Sequence, residues 1–545
     1  MIPGPPPVAT HEVTNQPPPL HRHDPLGCDP TLVTAVRAFG SDDVVASLAG
    51  VAADAGSAEA REHGRLADAH PPVLRTHDRY GNRVDEVEFH PSWHWLMARA
   101  VGHGLHAAPW APDAGPHAHL RRAAAFTVWS RVEAGHGCPI SMTYAAVPAL
   151  RHAPELAARY EPGLRSPVYD PGLREPGGKA GLLAGMSMTE KQGGSDVRAN
   201  TTTATPLADG TYSLVGHKWF TSAPMNDLFL ALARAPGGLT CFVLPRVLPD
   251  GRRNALRLQR LKDKLGNRSN ASAEIEYTGA VGWRVGDEGR GVRTIIEMVT
   301  MTRLDCVLGS TAGIRAALTE AAHHAAHRSA FGAVLRDQPA MSAVLADLAV
   351  ESDAATVLAM RLASEVDKSG PLLRLALPAA KFYVCKRAPA VVAEALECLG
   401  GNGYVEESGM PRLYREAPLM SIWEGSGNVT ALDVLRAVER EPSSVDALVA
   451  ELELGADRRL DDAVSALRAE LAAAEPARAR ALAERITLCL QASLLVRHVP
   501  EVAEPFIATR LAEGGRIMGA LPRGVDTAAL VDRVTPDPGQ FPVKE

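Results

Sequence analysis

Met186-Ser187-Met188-Thr189-Glu190-Lys191-Gln192-Gly193-Gly194-Ser195-Asp196 is the stretch on which the reading of the fold turns. Gly193 and Gly194 let the backbone approach a ligand closely, and Thr189 and Ser195 offer hydroxyls and amides for a pyrimidine-like ring edge or a pyrophosphate. Taken alone, the same residues describe a turn. A second block, Ser421-Ile422-Trp423-Glu424-Gly425-Ser426-Gly427-Asn428, sets one acidic side chain between an aromatic ring and a flexible Gly-Ser-Gly turn. That placement would let a carboxylate reach into a closed cavity as a base. Between them, Gly216-His217-Lys218-Trp219-Phe220-Thr221-Ser222 supplies an indole to lie against a flat ring and, in Thr221, a hydroxyl for its N5 edge. Together these blocks point to a flavin enzyme.

The rest of the chain gives the blocks a mainly helical setting. At 545 residues it exceeds what one hydrophobic core sustains, so several domains are expected. Residues 1–30 are rich in Pro with several His and few apolar anchors, which predicts a flexible arm. Ala-rich segments broken by Pro and Gly, such as Trp93-His94-Trp95-Leu96-Met97-Ala98-Arg99-Ala100, predict an N-terminal helical domain over 31–180. Over 181–285 the texture changes to short β-type runs, Tyr212–Val215, Thr240–Leu244 and Ala273–Tyr277, which predict a central β domain. Long Ala- and Leu-rich stretches over 286–440 predict a helical bundle. Over 441–545 the stripe Leu460, Val464, Leu467 and Leu471 predicts a separate C-terminal helical domain.

Composition narrows the class. Hydrophobic residues at 46% and charged residues at 22% are those of an ordinary globular protein. The seven cysteines are scattered and never spaced C-x-x-C, so neither a disulfide framework nor a zinc site is indicated, and a reducing cytoplasm is expected. No basic leader and no long apolar run is present, which argues against secretion and a membrane partner. The pairs His21 and His23, His90 and His94, and His323 and His324 lack an accompanying carboxylate or thiol set, so caps and packing are expected and no metal. Gly400-Gly401-Asn402-Gly403 follows a helical stretch instead of a strand, which argues against a Rossmann unit.

Read in order, Met188-Thr189-Glu190 with Gly194-Ser195-Asp196, Trp219-Phe220-Thr221, Arg328-Ser329-Ala330-Phe331-Gly332 with Gln338, Gly400-Gly401-Asn402-Gly403-Tyr404 and Trp423-Glu424-Gly425 resemble the acyl-CoA dehydrogenase flavoproteins. Asp263–Ser272 and Pro411–Glu416 resemble the AidB branch of that family, flavoproteins of the alkylation response. The resemblance implies the acyl-CoA dehydrogenase fold: a helical domain, a β-barrel-like domain and a helical bundle, with an extra C-terminal helical domain. It implies FAD as cofactor and a homotetramer. It places Met186, Met188, Thr189, Gly194, Ser195, Trp219, Phe220 and Thr221 around the flavin. Arg328, Phe331 and Gln338 would reach the diphosphate and adenine end across a subunit interface. Gly400 and Gly401 belong to the same cofactor set, and Ile422, Trp423, Ser426, Asn428 and Leu432 would complete the pocket. Arg303 lies where related enzymes approach the substrate, with an ion pair to Asp305 or another acid as its competing role.

By the same resemblance, Glu424 abstracts the α-proton of an acyl thioester while hydride leaves the β-carbon for flavin N5. Two functional readings stay open. One is an FAD-dependent acyl-CoA dehydrogenase-like oxidoreductase acting on acyl-CoA; the other is an AidB-type flavoprotein that binds double-stranded DNA with little or no turnover. The motifs name no electron acceptor. A formal net charge of −6, with about 17 acidic and 12 basic residues from Glu441 to Glu545, is unlike a DNA-binding footprint. The denser basic run Arg252, Arg253, Arg257, Arg260, Lys262, Lys264 and Arg268 could meet phosphates, yet packing and salt bridges are the favoured reading.

Overall fold

Leu228-Phe229-Leu230-Ala231-Leu232-Ala233 is apolar at every position because both faces of this strand are buried. Phe229, Ala231 and Ala233 turn inward to meet Leu214, Phe242, Leu258, Ile275 and Tyr277. Leu228, Leu230 and Leu232 turn outward onto a second core containing Tyr144, Val147, Ile295 and Met298. In this computed structural model, residues 10–512 and 517–537 are described.

The sheet has seven strands. Leu228–Ala235 pairs with Gly238–Pro245, which pairs with the long strand Ser272–Val285, which pairs with Tyr212–Ser222. Tyr212–Ser222 pairs with Thr203–Pro206, which touches Leu228–Ala235 again through Thr203 and Arg234. The path therefore closes into a barrel. Ala184–Ser187 adds in parallel along Leu228–Ala235, and Leu256–Leu261 adds along Ser272–Val285.

Helices surround the barrel on both sides in sequence. Before it come Pro30–Phe39 through Ala58–Ala69, Pro91–Gly102, Ala118–Trp129, Gly137–Leu150 and Pro154–Leu164. A two-stranded hairpin, Val73–His77 with Arg83–Glu88, interrupts them, an element the helical reading of this region lacked. After the barrel, Gly291–His327 runs about 55 Å. Its first turns pack on the barrel's outer core and the remainder enters the bundle with Pro339–Lys368 and Leu372–Glu397. This one helix couples the two halves of the molecule.

The N-terminal arm is described from residue 10; the rest of that expectation lies outside the described residues. Its described part is held down. Asn15 exchanges hydrogen bonds with Ser329, the Pro18 carbonyl meets His323 Nε2 at 2.8 Å, and Leu20 is buried. The C-terminal stripe Leu460, Val464, Leu467 and Leu471 is buried. These helices share one continuous core with the bundle, where the sequence reading had a separate domain. The reason is Ala479–His498, whose buried residues run around most of its circumference and serve both neighbours. Residues 513–516 and 538–545 of that expected domain lie outside the described residues. Among the described residues, no helix is long and apolar enough to cross a membrane.

Candidate active site

Glu424 is turned inward, not toward bulk solvent. Its carboxylate Oε2 accepts a 2.6 Å hydrogen bond from Thr302 Oγ1 on the long helix. Its backbone is left-handed, with φ 56°, in a residue type that avoids this region. Such strain costs about 1–3 kcal/mol and persists only where neighbours over-determine it. Here two cations do so. Arg303 Nε donates to the Glu424 carbonyl at 3.0 Å, and Lys381 Nζ donates to the Trp423 carbonyl at 2.8 Å and to that of Gly425. Three consecutive carbonyls are thus gripped from two helices. Gly425, with φ 97°, completes the turn where a Cβ would press within 3.3 Å of Arg303.

The charges around this turn are arranged by distant sequence. Arg303 Nη1 pairs with Asp433 at 2.6 Å, and Arg374 reaches the other oxygen of Asp433 at 3.1 Å. Asp305, the first-named competing partner of Arg303, instead binds Arg122 in a buried two-pronged pair. Lys381 is buried and makes no ion pair among the described residues, so its charge is spent on the turn's carbonyls. Burial raises the Glu424 carboxyl above its ordinary value, partly offset by the Thr302 hydrogen bond and the charges of Arg303 and Lys381.

The strand-and-turn blocks come close on the other side. Ser187 Oγ and Thr221 Oγ1 lie 2.5 Å apart, and Trp219 N donates to the Thr189 carbonyl at 2.8 Å. Met186 and Met188 border the same apolar cluster as Trp423, Met298 and Met301. Cys138 links the two sides: burial pushes its thiol up to about 12, Ser222 lowers it, and the Glu424 charge raises it. Gly194 is required by close approach, since a Cβ there would sit 2.8 Å from Thr189 Oγ1. Glu190 is structural. Burial alone would raise its carboxyl, but hydrogen bonds from Thr201 and the Lys218 ammonium hold it down at about 2. The Trp219 ring carries Lys262 Nζ 3.1 Å from its centre, and Phe220 and Ser195 are exposed.

Other expected site residues are not gathered with Glu424 in one chain. Arg328, Phe331 and Gln338 lie past the far end of the long helix, about 39 Å from Thr302 along its axis. Phe331 sits fully exposed at a hairpin tip with φ 52°, while Arg328 donates to the Asn15 carbonyl and Gln338 to that of Ala330. Gly400 and Gly401 are exposed beyond Leu372–Glu397, whose end is about 24 Å from Lys381. Ile422 and Leu432 are exposed, Ser426 is half-buried, and Asn428 accepts from Arg480 at 2.9 Å. Thr302, Lys381 and Asp433 were missed by sequence reasoning. Thr302 adjoins Arg303 and was within reach of it; the other two carry no local signal.

The basic run is largely neutralised in place. Arg252 pairs with Asp250, Arg253 with Glu86, and Arg260 and Lys262 with Glu274. Among the described residues no histidine, cysteine and carboxylate grouping suits a metal, and His90 caps its own helix through Ser92 N.

Comparison with known proteins adds to this geometry. Residues 15–171 match the model for the adaptive response protein AidB N-terminal domain, 185–280 the acyl-CoA dehydrogenase middle domain, and 289–439 the acyl-CoA dehydrogenase C-terminal domain. The chain is 49% identical over 470 residues to "Putative acyl-CoA dehydrogenase AidB" of Escherichia coli K12, covering 85% of this chain and 87% of that one. It is 32% identical to acyl-CoA dehydrogenase family member 11 of Caenorhabditis elegans, over 76% of this chain and 70% of that one. The crystal structure of Caenorhabditis elegans ACDH-11 in complex with C11-CoA superposes with a TM-score of 0.82 at 27% identity, over 94% of this chain and 96% of that one.

Proposed function

This chain belongs to the acyl-CoA dehydrogenase family, in its AidB branch, and from that premise we propose that Glu424 is the base that takes the α-proton of an acyl thioester. Members of the family are FAD flavoproteins, and this chain is an FAD-dependent oxidoreductase of that kind. The residues present suit the ring system. Met186, Met188 and Thr189 stay half-buried beside Trp219 while the intervening Ser187 is fully buried, leaving an apolar face with a hydroxyl at its rim. Thr189, Ser195 and Thr221 would hold the ring edge and phosphates, and Ser426 and Asn428 would meet the chain beyond. When bound, FAD supplies the two-electron acceptor that takes the β-hydride at N5.

The observation that carries the proposal is the inward carboxylate on a strained turn gripped by Lys381 and Arg303. Glu424 receives the α-proton as the β C–H bond breaks and the C=C bond forms. Burial makes its carboxylate more basic, and Trp423 with the neighbouring methionines excludes water. Anaerobic mixing of the yellow holoprotein with a panel of acyl-CoA thioesters tests this: at least one should bleach the flavin band, and an unchanged spectrum with all of them counts against it. Lys381→Met should slow that bleaching about tenfold to a hundredfold by loosening the turn, with circular dichroism unchanged. An unchanged bleaching rate would deny Lys381 its positioning role.

The exposed Phe331 hairpin, with Arg328 and Gln338 beside it, supports assembly as a homotetramer in which this hairpin completes a neighbour's cofactor site. A single-chain mass by light scattering would remove that assignment. A second reading, which the resemblance to the AidB branch implies, is a flavoprotein that associates with double-stranded DNA with little or no acyl-CoA turnover. That reading expects sequence-independent binding that weakens steeply with salt. The pairing of Arg252, Arg253, Arg260 and Lys262 with acids makes it the weaker of the two. The division of the chain near residues 30, 180 and 285 belongs to the same proposal.

A further inference from the structure

Thr302, Gly309 and Gly313 lie at i, i+7 and i+11 on Gly291–His327, and so share one face of that helix. Thr302 holds the Glu424 carboxylate. The two glycines, about 10 and 16 Å further along, line a cavity of about 40 Å³ together with Ser310, Glu133, Arg412, Glu416 and Met420. That space admits roughly three water-sized groups.

Its walls carry polar atoms without partners. Glu416 Oε2 and Arg412 Nη1 are buried and make no hydrogen bond, whereas the Ser310 hydroxyl bonds to the Cys385 thiol. Leaving such a group unmade costs about 1–3 kcal/mol, so these two atoms favour a hydrogen-bonding group in this space over an apolar one. Burial, reinforced by the Glu133 charge, pushes the Glu416 carboxyl up to about 8, so at neutral pH it holds a proton and can both donate and accept. Glu133 stays ionised: burial would raise it, but His136 and Ser269 bond to it and hold it at about 2.

Two side chains stand between cavity and base, Cys306 at i+4 from Thr302 on the same helix and Met420. Met420 Cε lies 3.0 Å from where a Gly309 Cβ would sit, and its sulfur accepts the Trp423 indole N–H at 3.3 Å. A thioether has the rotamer freedom to swing aside, which leaves the small Cys306 side chain and the two glycines along the face between Thr302 and the cavity.

We propose that this cavity receives the far end of the acyl chain and selects thioesters bearing a hydroxyl or carbonyl there over plain alkyl chains. The inference rests on Glu424 being the base. A path of 10–16 Å takes about eight to thirteen chain bonds at ~1.3 Å of advance each. A site built to bond a substrate hydroxyl rejects the analogue that lacks it, because its own buried groups are then left unpaired.

The test is calorimetric binding of dodecanoyl-CoA, 12-hydroxydodecanoyl-CoA and butyryl-CoA to the FAD-loaded protein, with flavin bleaching followed in parallel. The wild type should bind the hydroxylated chain at least about tenfold more tightly than the plain one. Glu416→Leu should bring the two within about twofold of each other. Gly313→Leu, at a position where a Cβ meets open space, should weaken both long chains and spare butyryl-CoA. Equal or tighter binding of the plain chain by the wild type overturns the proposal, as does unchanged long-chain affinity in Gly313→Leu. Preference without bleaching would sink the role of Glu424 and leave the cavity's selectivity standing; no binding of any thioester would sink both.

Discussion

Replacing Glu424 by Gln is expected to slow thioester-driven flavin reduction by about 10³-fold while the purified protein stays yellow. The amide keeps the shape and can still accept from Thr302 Oγ1, so the turn and the adjoining apolar face are undisturbed. What is lost is the only group on this turn able to take a proton. The pH dependence carries the same signature. A base works when ionised, and burial raises the Glu424 carboxyl above the ordinary 4.5, so activity is lost as pH falls through a value higher than that of a free Glu. Thr302→Val removes the hydrogen bond that opposes the rise, and the acidic limb should move to still higher pH. For stability the sign is opposite: this group's contribution is complete below the unfolded value and is lost as pH rises through the folded one. Retained bleaching in Glu424→Gln, or an acidic limb at the ordinary carboxylate value, would be incompatible with the assigned base.

Arg315→Met should cost roughly 3–5 kcal/mol of stability, the largest loss expected from one substitution away from the site. Arg315 is completely buried midway along the long helix, where it binds Asp353 and lies 3.1 Å from Asp29. Asp29 caps the first helix through Leu32 N and also takes Arg131 at 2.5 Å, so one guanidinium ties the N-terminal segment to the bundle. Methionine fills similar volume but leaves Asp29 and Asp353 facing each other with less compensation. Urea unfolding should show a markedly lower midpoint, and a loss below about 1 kcal/mol would mean that the segment is held by apolar packing alone.

Much of this architecture was legible because it is written in local periodicity. The β-type runs Tyr212–Val215, Thr240–Leu244 and Ala273–Tyr277, which fall within three strands of the barrel, and the stripe through Leu460 and Leu471 depend on neighbours only a few residues away. The Glu424 turn was legible for the same reason: an acid between Trp and Gly-Ser-Gly is a local pattern. What holds that turn was not. Lys381 looks like any helical lysine until Leu372–Glu397 is packed behind residues 423–425, and Arg303 finds Asp433, 130 residues away, instead of its neighbour Asp305. A residue two positions along a helix points about 200° away, which puts Asp305 on a different side from Arg303. The anchored arm and the shared C-terminal core are likewise products of long-range burial, which composition alone cannot reveal.

The central claim is that Glu424 removes an α-proton in the step that reduces the flavin. Stopped-flow reduction of the holoprotein by an acyl-CoA thioester, carrying either hydrogen or deuterium at the α-carbon, measures that step. The account predicts bleaching that is distinctly slower with α-deuterium. Bleaching at the same rate with either label would contradict it.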